Sequence, residues 1–474
     1  MPGRCVRALL LVSISACALP VARPGFDSVR DLAMTRTGHR VHWYQGTPED
    51  EQAFAAVRDL LSRPLTRDAA VQVALLNNRS LLAVYEELGV AQADLVKAGL
   101  LANPVFGVEL RSRNLALNPP ALVPAPPEVE ASVGMDLLSI LLIPLRTRLA
   151  EQQFEQARLR VGNAVIQLAA EVQTAFWEHE SAVQLAQARR LFAEAADAGA
   201  ELARRQREAG NIQELEQAVE ESLMLEARLG LAQADAMVLE AREHLNRLMG
   251  VWGPQTAWTS QGSLPDLPHA EPAVEKLESL AVTERLDLAA ERRQIELLTR
   301  ALDLNRPWLL PLLDADAHAE LEADGLAFGP GVDVQIPIFD FGQAERAALR
   351  AQKRAAEQRF AGLAVDIRSE VRSARNRLLT TRAMAEYYRD RLLPVRARVV
   401  EQTLLLYNRM FLGVFALLRA RQDELAARQG HIETLLAYWQ ARVELERAVG
   451  GRLPTPTVTE SSPPTSTGHT GHRP

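Results

Sequence analysis

Cysteine is nearly absent from this chain, which limits the kinds of site that the protein can hold. The 474 residues include 2 cysteines, Cys5 and Cys17, and both lie near the N-terminus. The rest of the chain therefore has no disulfide, no cysteine-based metal site and no thiol nucleophile. Its stability must come from packing.

The sequence also has no long apolar run, no excess of basic residues and few aromatic residues. No apolar run reaches the roughly 18 residues of a membrane-spanning helix, so none is predicted. The net charge of −7 argues against a nucleic-acid partner, which a basic face would attract. Aromatic residues make up 5% of the chain, and abundant Ala, Leu, Glu and Arg favour long packed helices.

Motifs of catalysis and metal binding are missing as well. The sequence has neither the HExxH motif of zinc enzymes nor the GxxxxGK[ST] phosphate loop. The 9 histidines lack ligand spacing, and His179 is predicted to be packed or pore-facing. His469 and His472 near the C-terminus are weak metal candidates, because ordering a flexible tail opposes binding. We therefore predict no enzyme activity, no cofactor and no metal.

Residues 1–16 have the organisation of an export signal. Arg4 and Arg7 precede a short apolar core that ends in Ile-Ser-Ala and then Cys17. This pattern resembles a bacterial lipoprotein signal and predicts a covalent lipid on Cys17; a plain secretory signal is the alternative. We expect residues 17–64 to form an extended arm from this anchor.

The longest helical pattern runs from Arg146 to Ala209 without a proline. At 1.5 Å per residue it predicts a helix of roughly 95 Å. Gly210 and Asn211 then signal a helix end and a new N-cap, so a second helix returns alongside the first. Heptad spacing predicts the packed seam of this hairpin, with Val161, Val165, Leu168, Val172, Ala175, His179, Ala182 and Ala186 on the first arm and Leu215, Ala218, Ser222, Leu225, Leu229, Ala232, Ala236 and Leu239 on the returning arm.

The same order of elements occurs twice, which indicates a duplication. Each repeat is predicted to contain a helix, a strand pair and a long helical hairpin. The first repeat is predicted at 65–250, with its strands in 105–143 and its hairpin at 146–250. A linker at 251–273 leads to the second repeat at 274–450, with its strands in 310–338 and its hairpin at 343–450. Residues 451–474 are predicted to be a disordered tail.

Glycine and proline positions support the duplication and predict local breaks. Gly210 and Gly413 lie 203 residues apart, and Gly250 and Gly450 lie 200 apart. Pro394 predicts a kink in the second long helix. Residues 324–331, rich in glycine, are predicted as the turn between the last two strands.

This order, with several local motifs, resembles the TolC family of outer-membrane efflux proteins from Leu65 to Gly450. The segment IPIFDFG, residues 336–342, is similar to the family's strand-to-helix junction. Residues 404–425, LLLYNRMFLGVFALLRARQDEL, with Tyr438-Trp439, are similar to its heavy-metal, copper/silver-type branch. The resemblance implies junctions at Pro144, Pro337, Asp340 and Gly342.

The resemblance implies a mainly helical fold with a small β part. Three protomers would each give four strands to a twelve-stranded transmembrane β-barrel, and their duplicated helical hairpins would form an α-barrel. The implied protein is a lipid-anchored homotrimer in the outer membrane of a Gram-negative bacterium. It would work with a periplasmic adaptor and an inner-membrane pump of the RND type, and would passively conduct metal ions or small toxic compounds to the exterior.

Two groups of residues are candidate sites on this interpretation. The hairpin ends are candidate adaptor contacts, for which local packing is the alternative. Polar residues near the second end are candidate links of a pore gate, for which a solvated helix face is the alternative. The adaptor candidates are Gly210, Asn211, Ile212, Gly413, Val414 and Phe415, and the gate candidates are Tyr407, Arg409, Arg421, Asp423 and Glu424.

Two other functions are compatible with the sequence. One is a type I protein-secretion duct, which shares the architecture, and the other is a periplasmic coiled-coil scaffold lipoprotein without a pore. The duplicated strand pairs favour a channel over a scaffold. The segment from Tyr407 to Arg421 favours efflux over secretion.

Overall fold

A computed structural model of the chain describes residues 25–111, 128–136, 138–269, 276–304, 313–322, 325–334, 339 and 341–453. The chain divides into two compact units, which are described separately. The first comprises Met1–Phe176, Arg242–Gln261 and Glu284–Ile367, and the second comprises Trp177–Ala241, Gly262–Thr283 and Arg368–Pro474.

The N-terminal part of the described chain is helical. Helices α1 (Phe26–Thr37) and α2 (Pro48–Ser62) occupy it, so the prediction of an extended arm was wrong here. Burial opposes ionisation of Asp50 in α2. The hydrogen bonds that its carboxylate accepts from His42 and from three backbone N–H groups outweigh burial and lower its pKa to about 2. These bonds fix the loop before α2 and explain why the segment folds.

The opening helix of each repeat is broken in two. In the first repeat, α3 (Arg67–Asn77) and α4 (Arg79–Gly99) replace the single predicted helix, because the Asn78 side chain accepts the Leu81 N–H and caps α4. In the second repeat, α7 (Leu277–Glu284) and α8 (Leu286–Leu304) replace the helix predicted there.

Four strands form one antiparallel sheet in the order β1-β2-β3-β4, with two strands from each repeat. They are β1 (Val105–Arg111), β2 (Glu128–Asp136), β3 (Leu313–Glu322) and β4 (Gly325–Val334). The two repeats meet between β2 and β3, where Gly134 pairs with His318. Strands β1 and β4 are the outer strands of the described sheet.

Two predicted boundaries around the strands were wrong. Residues 325–331 belong to β4 rather than to a turn, since Gly331 pairs with Asp316 and Gly325 with Glu322. In the first repeat β2 ends at Asp136, and the next helix already begins at Leu138. Pro144 therefore lies inside that helix rather than at a strand-to-helix junction. The apolar run before Pro144 fits either structure, since periodicity does not separate short apolar segments.

The two long hairpins confirm the duplication. Helix α5 (Leu138–Glu208) has 71 residues and is followed by α6 (Glu214–Met249) with 36. In the second repeat α9 (Gln343–Tyr387), a π-helical turn at Tyr388–Leu392 and α10 (Leu393–Asn408) precede α11 (Val414–Val449), also of 36 residues. The π turn ends at Leu392, two residues before Pro394, so the helical hydrogen bonding changes close to the position of the predicted kink.

The predicted seam of the first hairpin is buried on one arm only. All eight seam residues of α5 are buried or half-buried, whereas all eight on α6 are exposed. Helix α6 instead buries Glu220, Ala227 and Ala234. The heptad spacing therefore identified an apolar face on α6 correctly but assigned it the wrong partner.

None of the helices in the described residues is long and apolar enough to cross a membrane.

Gly342 lies directly before α9, and its carbonyl accepts the Arg346 N–H. Cys17, Pro337, Asp340, His469 and His472 lie outside the residues that the structure describes, as do the signal and most of the tail.

Candidate functional site: the ends of the two hairpins

Helices of both repeats share one apolar core in the second unit. It joins Phe192, Ala193 and Ala196 of α5 to Ala227 of α6 and Leu425 of α11. A methyl group on Gly199 of α5 would lie 2.6 Å from a Leu418 Cδ atom of α11, so a larger residue there would force the Leu418 side chain to move. This packing fixes the helices that carry both hairpin ends.

The first hairpin end is a Schellman motif centred on Gly210. The Asn211 N–H donates to the Gln206 carbonyl over 2.8 Å and the Gly210 N–H to the Arg207 carbonyl over 2.9 Å. Gly210 has a left-handed conformation, with φ of 72°, which glycine adopts without strain. Helix α6 starts at Glu214, so its N-cap is Gln213. The prediction that Asn211 caps this helix was wrong.

The second hairpin end has the same motif with a methionine at its centre. The Phe411 N–H donates to the Leu406 carbonyl and the Met410 N–H to the Tyr407 carbonyl, each over 2.9 Å. Met410 is left-handed, with φ of 61°. The structural counterpart of Gly210 is therefore Met410, 200 residues later, and not Gly413. Gly413 is the N-cap of α11 with φ of −77°, which any residue adopts.

The exposed residues at the two ends differ from those predicted. At the second end the most exposed side chains are Met410 at 94% and Phe411 at 74%. Val414 and Phe415, predicted as adaptor contacts, are half-buried. At the first end Asn211 is exposed and Ile212 is half-buried. The sequence analysis did not predict Met410 at this end. Met410 lies 200 residues after Gly210, the same offset as between Gly250 and Gly450, and this offset could have indicated it.

Asp423 connects the two arms of the second hairpin. Its carboxylate lies 3.1 Å from the Arg396 guanidinium of α10 and 3.7 Å from that of Arg419 on its own helix. Arg396 and Asp423 are 27 residues apart in sequence, and the packing of the consecutive helices α10 and α11 brings them together.

Glu424 forms a second ionic group one residue further along α11. Its buried carboxylate pairs with Arg421 at 2.9 Å and Arg428 at 2.8 Å. Burial opposes its ionisation, but the hydrogen bonds from Arg428 and Arg421 outweigh burial and lower the pKa of Glu424. Of the gate candidates, Arg421, Asp423 and Glu424 thus take part in two adjacent ionic groups within one protomer. Tyr407 and Arg409 lie at the end of α10, half-buried and exposed respectively.

Glu220 is a buried carboxyl group near the start of α6. Its Oε2 atom has no hydrogen-bond partner within the described chain, and burial raises its pKa. The described residues contain no cluster of three or more His, Cys, Asp or Glu side chains that could hold a metal ion. What the described residues offer near the hairpin ends is exposed contact surface and two groups of ion pairs.

Comparisons with known proteins find relatives that share these duplicated long hairpins and this sheet. Residues 277–451 match the family described as outer membrane efflux protein. The cobalt-zinc-cadmium resistance protein CzcC of Cupriavidus metallidurans is 24% identical over 390 residues, covering 82% of this chain and 90% of the relative.

Solved structures share the fold. The outer-membrane channel CmeC of Campylobacter jejuni has a TM-score of 0.70 at 14% identity, over 89% of this chain and 91% of CmeC. CusC has a TM-score of 0.64 at 16% identity, over 86% of this chain and 95% of CusC. The chain therefore shares the fold of these outer-membrane channels.

Proposed function

We propose that this protein is the outer-membrane exit duct of a heavy-metal efflux pump. In this proposal a homotrimer, anchored by a lipid on Cys17, passively conducts metal ions from an RND-type pump and its adaptor to the exterior. The name of the relative CzcC, a cobalt-zinc-cadmium resistance protein, supports metal ions over other small toxic compounds as the substrate.

The exposed heptad face of α6 is the observation that carries the proposal. Leu215, Leu225, Leu229 and Leu239 are between 56% and 72% exposed. A largely apolar stripe of this spacing is the surface that a coiled-coil partner covers. Since the face is left uncovered within the described chain, we assign it to a helix of a second copy.

The sheet supports the same assembly. Its outer strands β1 and β4 have backbone groups that would lack hydrogen-bond partners in lipid, where each such group costs several kcal/mol. Pairing β1 of one copy with β4 of the next removes these edges. Three copies would close a twelve-stranded barrel, which is our proposal for the membrane part.

The hairpin ends and the ionic groups have separate roles in this duct. We assign adaptor contact to the two hairpin ends and the gate to the ion pairs of Asp423 and Glu424. Breaking the Arg396–Asp423 pair weakens the connection between α10 and α11, so an adaptor that favours separated arms would open the duct. The gate would then act within each protomer as well as between copies.

Oligomeric state and conductance test the proposal together. Wild-type protein purified in detergent is expected to be a trimer by mass photometry and to give stable unitary currents in planar bilayers. Leu229→Asp places a charge in the stripe and is expected to give monomers without current. Gln233→Asp, at an exposed position of the same helix outside the stripe, is the matched control and should remain trimeric.

Bacterial growth in the presence of metal salts tests whether metal ions are the substrate. In a strain without its own duct, the wild-type gene should restore tolerance to cobalt, zinc and cadmium salts, and Leu229→Asp should not. A wild-type trimer with no current, even after removal of both hairpin ends, would contradict the channel. Restored protein secretion without restored metal tolerance would instead favour the secretion duct.

A further inference from the structure

The two hairpin ends have the same backbone but differ in the residue at the left-handed position. Both close with the same pair of backbone hydrogen bonds, around Gly210 in one repeat and Met410 in the other. A side chain at left-handed φ is disfavoured by contact of its Cβ with the backbone, whereas glycine has no such contact. Met410 thus destabilises a turn that the first repeat forms with glycine.

Packing within the chain does not offset this strain. The Met410 side chain is 94% exposed, so it gains almost no burial in the described structure. Strained residues that the local fold does not require are concentrated at functional positions. The benefit of a side chain at this position therefore comes from a contact outside the protomer.

The turn of the second hairpin exposes more apolar surface than the turn of the first. Phe411 is 74% exposed and Leu412 is 37% exposed, so three consecutive apolar side chains lie at the surface of this turn. At the corresponding positions the first end has Gly210, the polar Asn211 and the half-buried Ile212. The two ends therefore offer different surfaces although their backbones match.

We propose that Met410 and Phe411 anchor the second hairpin end in an apolar pocket of the periplasmic adaptor, and that the first end contributes no such anchor. The inference rests on the proposed function and names the residues of its adaptor contact. A methionine side chain is flexible and polarisable, and therefore adapts to irregular apolar pockets. Methionine and aromatic residues are also enriched in the buried centres of protein interfaces.

An adaptor fits this surface better than a second copy of the chain does. In the proposed trimer, helices of neighbouring copies pack side by side and cover stripes along the helix such as the one on α6. Met410 and Phe411 lie beyond the last residue of α10, in the turn that precedes α11. A partner that approaches the end of the hairpin can bury them, and one that packs along its side covers the stripe instead.

The test measures adaptor binding and stability on the same variants. Full-length trimers in nanodiscs would be titrated with the purified adaptor of the same organism's heavy-metal pump. Met410→Gly removes both the strain and the anchor, so its unfolding temperature should match or exceed that of the wild type. Its binding should weaken by at least about fivefold, as expected for an interface anchor.

Three further variants separate anchoring from folding. Met410→Leu keeps an apolar side chain and should bind within about twofold of the wild type, since similar apolar shapes substitute well. Met410→Gln keeps the strain and approximate length but should bind as weakly as Met410→Gly. Gly210→Met, the matched change in the first repeat, should lower stability without strengthening binding.

Each outcome decides the proposal. Unchanged binding by Met410→Gly and Met410→Gln would overturn the anchor while leaving the duct intact. If Met410→Gly unfolds at lower temperature, the binding of Met410→Gln decides between an anchor and a structural role. Adaptor binding that is equally reduced by Gly210→Met would overturn the difference between the ends. If the wild-type trimer binds no adaptor, the adaptor part of the proposed function fails along with this inference.

Discussion

The Asn77 side-chain amide donates hydrogen bonds to the carbonyls of Met249 and Gly250, over 3.1 and 2.7 Å. Gly250 has φ of +66°, and a Cβ on it would lie 2.5 Å from the Asn77 carbonyl oxygen. The end of α6 is thus fixed against the junction of α3 and α4 by a contact that needs both residues.

Gly250→Ala is therefore expected to destabilise the first unit by about 2–4 kcal/mol, from left-handed strain and the backbone clash. Asn77→Ala should cost about 1–3 kcal/mol, because two buried carbonyls lose their donor. Hydrogen exchange of α3 and of the end of α6 measures both effects. Gly46→Ala is the control, since Gly46 has φ of +74° with open space around its Cβ position. An equal cost at Gly46 would contradict the contact.

Glu220 predicts a pH-dependent stability. Its pKa is raised by burial, so the folded state favours the protonated carboxyl. Its contribution is most favourable below the unfolded pKa of about 4.3 and is lost as the pH rises through the folded value. Glu220→Gln should therefore stabilise the protein by about 1–2 kcal/mol at pH 7 and have little effect at pH 4. Glu221→Gln, the exposed neighbour, is the control. A gain that is the same at both pH values would contradict the prediction.

The Arg396–Asp423 pair predicts a change in conductance. Asp423→Asn weakens the connection between α10 and α11 by ~0.5 kcal/mol, which corresponds to about a twofold change in a two-state equilibrium. Unitary or time-averaged current should rise accordingly in planar bilayers. Asp197→Asn breaks the Asp197–Arg228 pair between the arms of the first hairpin, of 2.9 Å, and should leave the current unchanged. Equal currents from the wild type and Asp423→Asn would remove this pair from the gate.

The π-helical turn at Tyr388–Leu392 is predicted to depend on Gly430. A Cβ on Gly430 of α11 would lie 2.6 Å from the Tyr388 hydroxyl oxygen, so Gly430→Ala forces the ring away at a cost of about 1–3 kcal/mol. In the double variant with Tyr388→Ala the added cost of Gly430→Ala should largely disappear. Chemical denaturation of all four proteins measures the coupling. Strictly additive effects would show that the ring does not restrict this position.

Helix positions followed from the sequence wherever local physics decides them. The absence of proline after Arg146, the glycine at 210 and the repeated element order are local or periodic features, and the long hairpins and the duplication were predicted from them. The resemblance carried by residues 404–425 pointed to the efflux family whose model matches residues 277–451. Errors arose where the local signal was ambiguous, as in the apolar run before Pro144 and the glycine-rich start of β4.

The candidate site could be predicted only in part. The spacing from Glu424 to Arg428 is a helical i, i+4 pair and can be read from the sequence. The Arg396–Asp423 pair depends on the register of two helices across a turn, which no local pattern gives. The left-handed conformation of Met410 also escaped prediction, because left-handed positions are normally marked by glycine and Gly413 lies nearby.

The sequence by itself determined the elements, their duplication and the existence of an apolar face on α6, because these depend on residue type and periodicity along one helix. Tertiary structure alone decided which faces are covered. It buried the predicted seam of α5, left that of α6 exposed, and placed Met410 rather than Gly413 at the turn. Burial depends on which helices meet and in what register, and this is a property of the folded chain as a whole.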